Sequence, residues 1–150
     1  MASKIPNSSL ANLLNGTIDL NSHDIRGRLV MANTSCSTEI DAIDDLADYT
    51  AIDVCDSTSY ADVALDTETI TANDTDNRGD FDTASDTVFS GLGGDATRTI
   101  VGVLLYKYVD GTDANDLPLA YVEFTSPIAT TATQITVPSS TTNLLQASQG

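Results

Sequence analysis

The sequence predicts a mainly β fold: an antiparallel, jelly-roll-like β-sandwich with one or two short helices in its N-terminal half. Three observations carry this expectation. From Tyr60 onward the apolar residues recur with a period of two. Clusters of Gly, Asn and Asp interrupt that pattern about every ten residues, the spacing of a sandwich rather than of a parallel sheet. The acid is nearly all Asp, with Glu only at Glu39, Glu68 and Glu123, so acidic positions favour turns over helices.

Along the chain, residues 1–8 are expected to be flexible. Ser8 and Ser9 can cap a short helix whose Leu10, Leu13 and Leu14 share one face, with Gly16 placed to end it. Residues 25–32, centred on Leu29, Val30 and Met31, read as a buried strand. In 38–49, Ile40, Ile43, Leu46 and Ala47 follow helical spacing and Thr38 with Asp41 forms a loose capping box, so a second short helix is expected there.

Strands follow. Ala61, Val63 and Leu65 alternate with polar residues, then Thr67, Thr69 and Thr71 alternate with Glu68 and Ile70. An Asn- and Asp-rich turn occupies 73–77, a strand follows over 78–82, and another is centred on Val88. Residues 91–95 read as a flexible Gly-rich loop. Residues 98–109 are the most apolar stretch and read as a central strand. After an acidic loop, 118–125 returns antiparallel to it, and 134–137 is a last short strand. The predicted core is Val101, Val103, Leu105, Ala120, Val122 and Phe124. Residues 139–150 are expected to be a loose tail.

The chain of 150 residues fits one domain, 1–150. A domain of this length buries roughly two thirds of its unfolded surface and needs no metal or disulfide to fold. With 6 Lys and Arg against 22 Asp and Glu, the net charge is -16. Such a chain is a poor partner for nucleic acid, whose phosphates need clustered Lys and Arg, and for an anionic membrane. An Asp-rich, Lys-poor, Thr-rich surface resembles proteins of salt-accumulating halophiles, where molar salt screens self-repulsion over a few ångströms; an ordinary acidic viral or secreted protein is the other reading. No apolar run is long enough to span a membrane. Residues 1–6 lack the apolar stretch of a secretory signal, so synthesis and folding in a cytoplasm are expected. Cys36 and Cys55 match no zinc or redox spacing, which leaves either one disulfide or, the favoured reading, two separate buried thiols.

The residues that could carry chemistry are few. His23 is the one histidine, in a polar turn beside Asp24, and no G-x-S-x-G elbow accompanies it. A thiol pair of His23 with Cys36 or Cys55 has nothing in the sequence to place it. A sugar-cleaving carboxylate pair would want aromatic platforms, and the chain has no Trp. No catalytic residue and no cofactor is therefore expected. The remaining candidates are for calcium. Asp74, Asp76, Asp80 and Asp82 alternate across a turn, and Asp110, Asp113 and Asp116 crowd another. Arg78 stands where an EF-hand needs an oxygen ligand and no Glu closes the loop, so a solvated acidic turn is favoured.

The order of segments resembles a family of small structural proteins of tailed bacteriophages. Leu10-Ala11-Asn12-Leu13-Leu14-Asn15-Gly16-Thr17-Ile18-Asp19-Leu20 followed by Asp24-Ile25-Arg26-Gly27-Arg28-Leu29-Val30 is similar to that family's leucine-bearing helix, G-x-I-D turn and first strand ending in L-V. Asn77-Arg78 and Phe81-Asp82 match its N-R-x-x-F-D stretch. Residues 98–108 resemble its A-R-Y-A-V-I-Y-K-D strand, and 117–124 its S-P-L-I-A-Y-I-D-F strand. The likeness runs through nearly the whole chain in order, and its specificity lies in that succession. The chain departs by its Asp enrichment, as adaptation to a haloarchaeal host would produce, and by lacking the family's last apolar strand over 139–150.

The resemblance implies a non-enzymatic virion protein on the outer capsid surface. It would decorate or cement the shell by binding major capsid subunits, with self-association in small rings such as trimers. Residues 1–8 and 91–95 are the candidate contacts. A tail or fibre component of the same virion is the alternative, and a cell-surface or glycan-binding module a third class.

Overall fold

The computed structural model describes residues 2–76, 78–92, 98–129, 134–138 and 145–148. Among them run β1 (Ala2–Lys4), α1 (Asn7–Leu14), β2 (Ile25–Met31), β3 (Val63–Ala64), β4 (Glu68–Asn73), β5 (Arg78–Thr83), β6 (Thr87–Ser90), β7 (Thr99–Lys107), β8 (Leu117–Ala129), β9 (Gln134–Val137) and β10 (Leu145–Ser148). All the strand pairings are antiparallel. They form a five-stranded sheet in the order β1-β8-β7-β2-β3, a three-stranded sheet β10-β5-β4 and a two-stranded ribbon β6-β9. The fold is mainly β, as the sequence predicts.

The layers follow from side-chain alternation. Leu29 and Met31 of β2, Val103 and Leu105 of β7 and Ala120 and Val122 of β8 pack with Phe81 of β5, Phe89 of β6 and Ile135 and Val137 of β9. The two smaller sheets thus close one face of the large one, in a sandwich-like arrangement. The intervening residues Val30, Leu104, Tyr106 and Tyr121 face the other way, into a second buried cluster with Cys36, Ile43, Leu46 and Tyr49. With both faces covered, β7 reads as an almost unbroken apolar run rather than an alternation.

The second face is closed without a sheet. The chain between β2 and β3 crosses it, tied to β2 by a bridge between Val30 and Val54 and by the Cys55 amide donating to the Leu29 carbonyl at 3.0 Å. The helix expected over 38–49 is replaced here by turns and one short 3-10 turn, Leu46–Asp48. Ala42 takes a positive φ of 56°, which a helix cannot accommodate, and Asp45 caps the 3-10 turn instead. Ile43, Leu46 and Tyr49 enter the cluster as separate plugs.

The predicted core holds at Val103, Leu105, Ala120 and Val122, all buried. Val101 and Phe124 are half-buried. Val101 packs against the second cluster rather than beside Val103, because the register of β7 with β8 shifts between Ile100 and Gly102. Tyr121 lies over Gly102: a Cβ there would stand 2.6 Å from the Tyr121 ring and 2.6 Å from the Val122 carbonyl oxygen.

Both chain ends differ from the expected loose segments. Residues 2–4 form an edge strand on β8, and 7–8 already belong to α1. Leu145–Ser148 pair with β5, from Leu145 opposite Phe81 to Ser148 opposite Arg78. That pairing is a main-chain ladder, which leaves no periodicity to read. Residue 1, residue 77, the Gly93–Asp95 part of the expected loop, and 139–144 with 149–150 lie outside the described residues.

Candidate functional site

The sequence-predicted candidates are dispersed. His23 accepts a hydrogen bond at Nδ1 from the Asp19 amide, 2.8 Å, and so serves as a turn anchor. Cys36 and Cys55 are both free and buried, but in different clusters, on opposite faces of the central sheet. They cannot pair without unfolding, which decides for two separate thiols. Burial pushes the Cys36 thiol up to about 11, a poor nucleophile at neutral pH.

Of the calcium candidates, Asp76 and Asp80 are engaged by Arg78, at 3.1 and 2.8 Å. Asn73 Nδ2 donates to both. Asp82 accepts from the Thr83 amide at 2.9 Å, and partial burial with Asp80 nearby raises its carboxyl above the usual range. Asp74 stays exposed at the turn. The guanidinium occupies the place a cation would take, and among the described residues no group of three acidic, His or Cys side chains could hold a metal. The second loop separates in the same way. Asp110 accepts from the Thr112 amide and from Asn115 Nδ2, both at 2.8 Å. Asp113 bonds Arg28, and fully buried Asp116 accepts from the Val109 amide at 2.7 Å.

The densest polar constellation is one the sequence reading missed. Arg28, in the middle of β2, is 8% exposed. Its Nε donates to Asp62 at 2.8 Å and its Nη1 to Asp113 at 2.7 Å. The Tyr60 hydroxyl donates to the other Asp62 oxygen at 2.9 Å and accepts from the Leu29 amide at 2.6 Å. The Tyr106 hydroxyl donates to Asp62 at 2.8 Å, and its ring lies 5.0 Å from the Arg28 guanidinium carbon. Burial would depress the Arg28 pKa, but the bond to Asp113 and the charge of Asp62 raise it. Burial first, and Asp62 second, push the Tyr60 and Tyr106 phenols up. These groups spend their polar atoms on one another, so the cluster is a staple that binds 32–62 and the β7–β8 loop to the sheet. A charge inside Gly27-Arg28-Leu29-Val30 was the available signal, because a buried-strand arginine requires partners.

The other site is apolar and lies on the surface. Helix α1 buries a serine and exposes two of its three leucines, while Leu13 packs on the core. Ser9 is fully buried, its hydroxyl donating to the Pro118 carbonyl at 2.7 Å. Leu10 is 44% and Leu14 90% exposed. The Ser8 hydroxyl donates to the Ile43 carbonyl. The serines therefore dock the helix instead of capping it, and Pro6 stands at the cap position. Beside the helix a groove of about 140 Å³ is lined by Ile5, Leu10, Leu13, Ile70 and Phe81, with Asp80 on its wall. Of the candidate contacts, Ile5 lines this groove, and Gly91 lies elsewhere, against the Ser59 carbonyl.

No protein-family model, no curated protein and no solved structure matches this chain.

Proposed function

We propose that the protein is a structural component of a tailed virus that decorates or cements the capsid by binding major capsid subunits on the outer surface. The observation that carries this reading is the ordered succession of segments resembling the phage structural family, spread over both halves of the chain. Two physical features support it. The polar constellation at Arg28 is consumed in holding loops to the sheet. The surface pairs a high negative charge, unsuited to packaged DNA, with exposed leucines suited to a protein partner. Many copies on a shell make modest affinity per contact effective.

The test is the composition of purified virions from the virus that encodes the chain. Quantitative mass spectrometry should find it at a copy number comparable to that of the major capsid subunit, and cryo-EM should place it outside the shell. A minor copy number confined to the tail would move it to the tail or fibre class. Absence from particles would end the reading. The salt-loving host is tested separately, by thermal unfolding. The melting temperature should climb from low to molar salt, and equal stability at both would count against it.

A further inference from the structure

The apolar groove beside the β4–β5 hairpin has one carboxylate, Asp80, in its wall. Residues 66–82 hold six acidic residues and one arginine, Arg78, which is committed to Asp76 and Asp80. Ile70 points from β4 toward the groove and is 52% exposed, with Glu68 two residues before it on the same strand face. Across the groove stands α1, NSSLANLL, which carries no charge and presents Leu10 and Leu14 one turn apart to solvent. An amphipathic helix normally buries its leucines and exposes its serines. Here Ser9 is inside and Leu13 packs on the core, so Leu10 and Leu14 are left for something else.

We infer that the groove between α1 and the β4–β5 hairpin docks a basic, apolar segment of a protein partner: a Leu- or Ile-type side chain seated between Leu10 and Ile70 and framed by Lys or Arg that meet the acidic rim. Charge decides between occupants. A second copy would bring a like net charge of -16 to the same face, whereas a basic segment is drawn by that charge and by Glu68 beside Ile70. The inference stands whether or not the partner is a capsid subunit.

The test uses the whole chain, amide-labelled for NMR, and three short synthetic peptides: one of Leu and Lys, one with each Leu replaced by Ser, and one with each Lys replaced by Glu. The Leu/Lys peptide should shift the amides of Leu10, Leu13 and Ile70, and the other two should not. Leu10→Glu and Ile70→Glu should each weaken that binding by about tenfold or more. Val109→Glu, the same charge change at a 52% exposed site in the β7–β8 loop, should leave it unchanged. Should Leu10→Glu fail to fold, Ile70→Glu, on an exposed strand, decides alone. Equal binding of the Ser/Lys peptide, shifts that map elsewhere, or wild-type binding by Ile70→Glu would overturn the inference. So would a dimer of the chain alone that Leu10→Glu dissociates, because it would seat a second copy in the groove.

Discussion

The two faces of the central sheet are equally dry but closed by different means. One is covered by other strands, and its contacts are mostly Leu, Val, Ile and Phe, with Met31, Ala120 and Cys55, in a shared apolar layer. The other is covered by irregular chain, and its cluster contains three tyrosines and a thiol, with the Arg28–Asp62 pair beside it. Strands satisfy their own backbone, so they need only apolar side chains beneath them. A loop laid on a sheet must find side-chain partners for its buried polar groups, and here Arg28, Asp62, Tyr60 and Asp113 supply the bonds that hold it, while the Tyr49 hydroxyl is left without one.

This difference can be broken experimentally. The largest effect should come from Arg28→Met, which leaves half-buried Asp62 with its ion partner gone. A loss of about 3–5 kcal/mol in denaturant unfolding is expected. On the strand-covered face, Leu105→Ala should cost about 2–5 kcal/mol through the cavity it opens. If Arg28→Met proved near neutral while Leu105→Ala did not, the loop-covered face would be held by packing alone. Gly102→Ala should cost about 1–3 kcal/mol, since the added Cβ meets main chain as well as the Tyr121 ring. Tyr60→Phe removes one buried hydroxyl and should cost about 1–2 kcal/mol. Asp113→Asn, at a side chain 43% exposed, should cost under about 1 kcal/mol despite its short bond to Arg28.

Alkali offers a finer probe. Burial raises the pKa values of Cys36 and Tyr121, to about 11 and about 12, and raises Tyr49 and Tyr106 as well, all in the loop-covered cluster. The fold favours the neutral form of each. Their contribution is therefore complete below the unfolded thiol's pKa, about 8.5, and is lost as pH rises through the folded values. Stability should stay level up to about pH 8.5 and fall from there toward 12. Near-ultraviolet circular dichroism should register the tyrosines of the loop-covered face first. A flat profile to pH 12 would show that the cluster admits ionised phenols at no cost.

The strand-covered face was legible in the sequence. Val103, Leu105, Ala120 and Val122 alternate with the pleat, and the acidic loop between two apolar runs announces a hairpin. The loop-covered face was not. Ile40, Ile43 and Leu46 have helical spacing, yet the chain turns at Ala42 and inserts Ile43 and Leu46 one at a time, a solution to local volume that has no period. The candidate groove was hidden for a related reason. Leu10, Leu13 and Leu14 share one face in the sequence, but Leu13 alone of them packs on the core, and Ser9 takes the inward position where its hydroxyl meets the Pro118 carbonyl. Leu145–Ser148 joined the smaller sheet through main-chain pairing, which composition cannot report.

The separation of Cys36 from Cys55 by the central sheet gives the molecule a pair of internal clocks. Each thiol is sealed beneath one face only. Pulsed alkylation followed by mass measurement would time the opening of the loop-covered face at Cys36 and of the strand-covered face at Cys55 within one native chain. Simultaneous labelling would mean that the domain opens as a unit. Earlier labelling of Cys36 would mean that the stapled cover lifts while the sandwich stays shut.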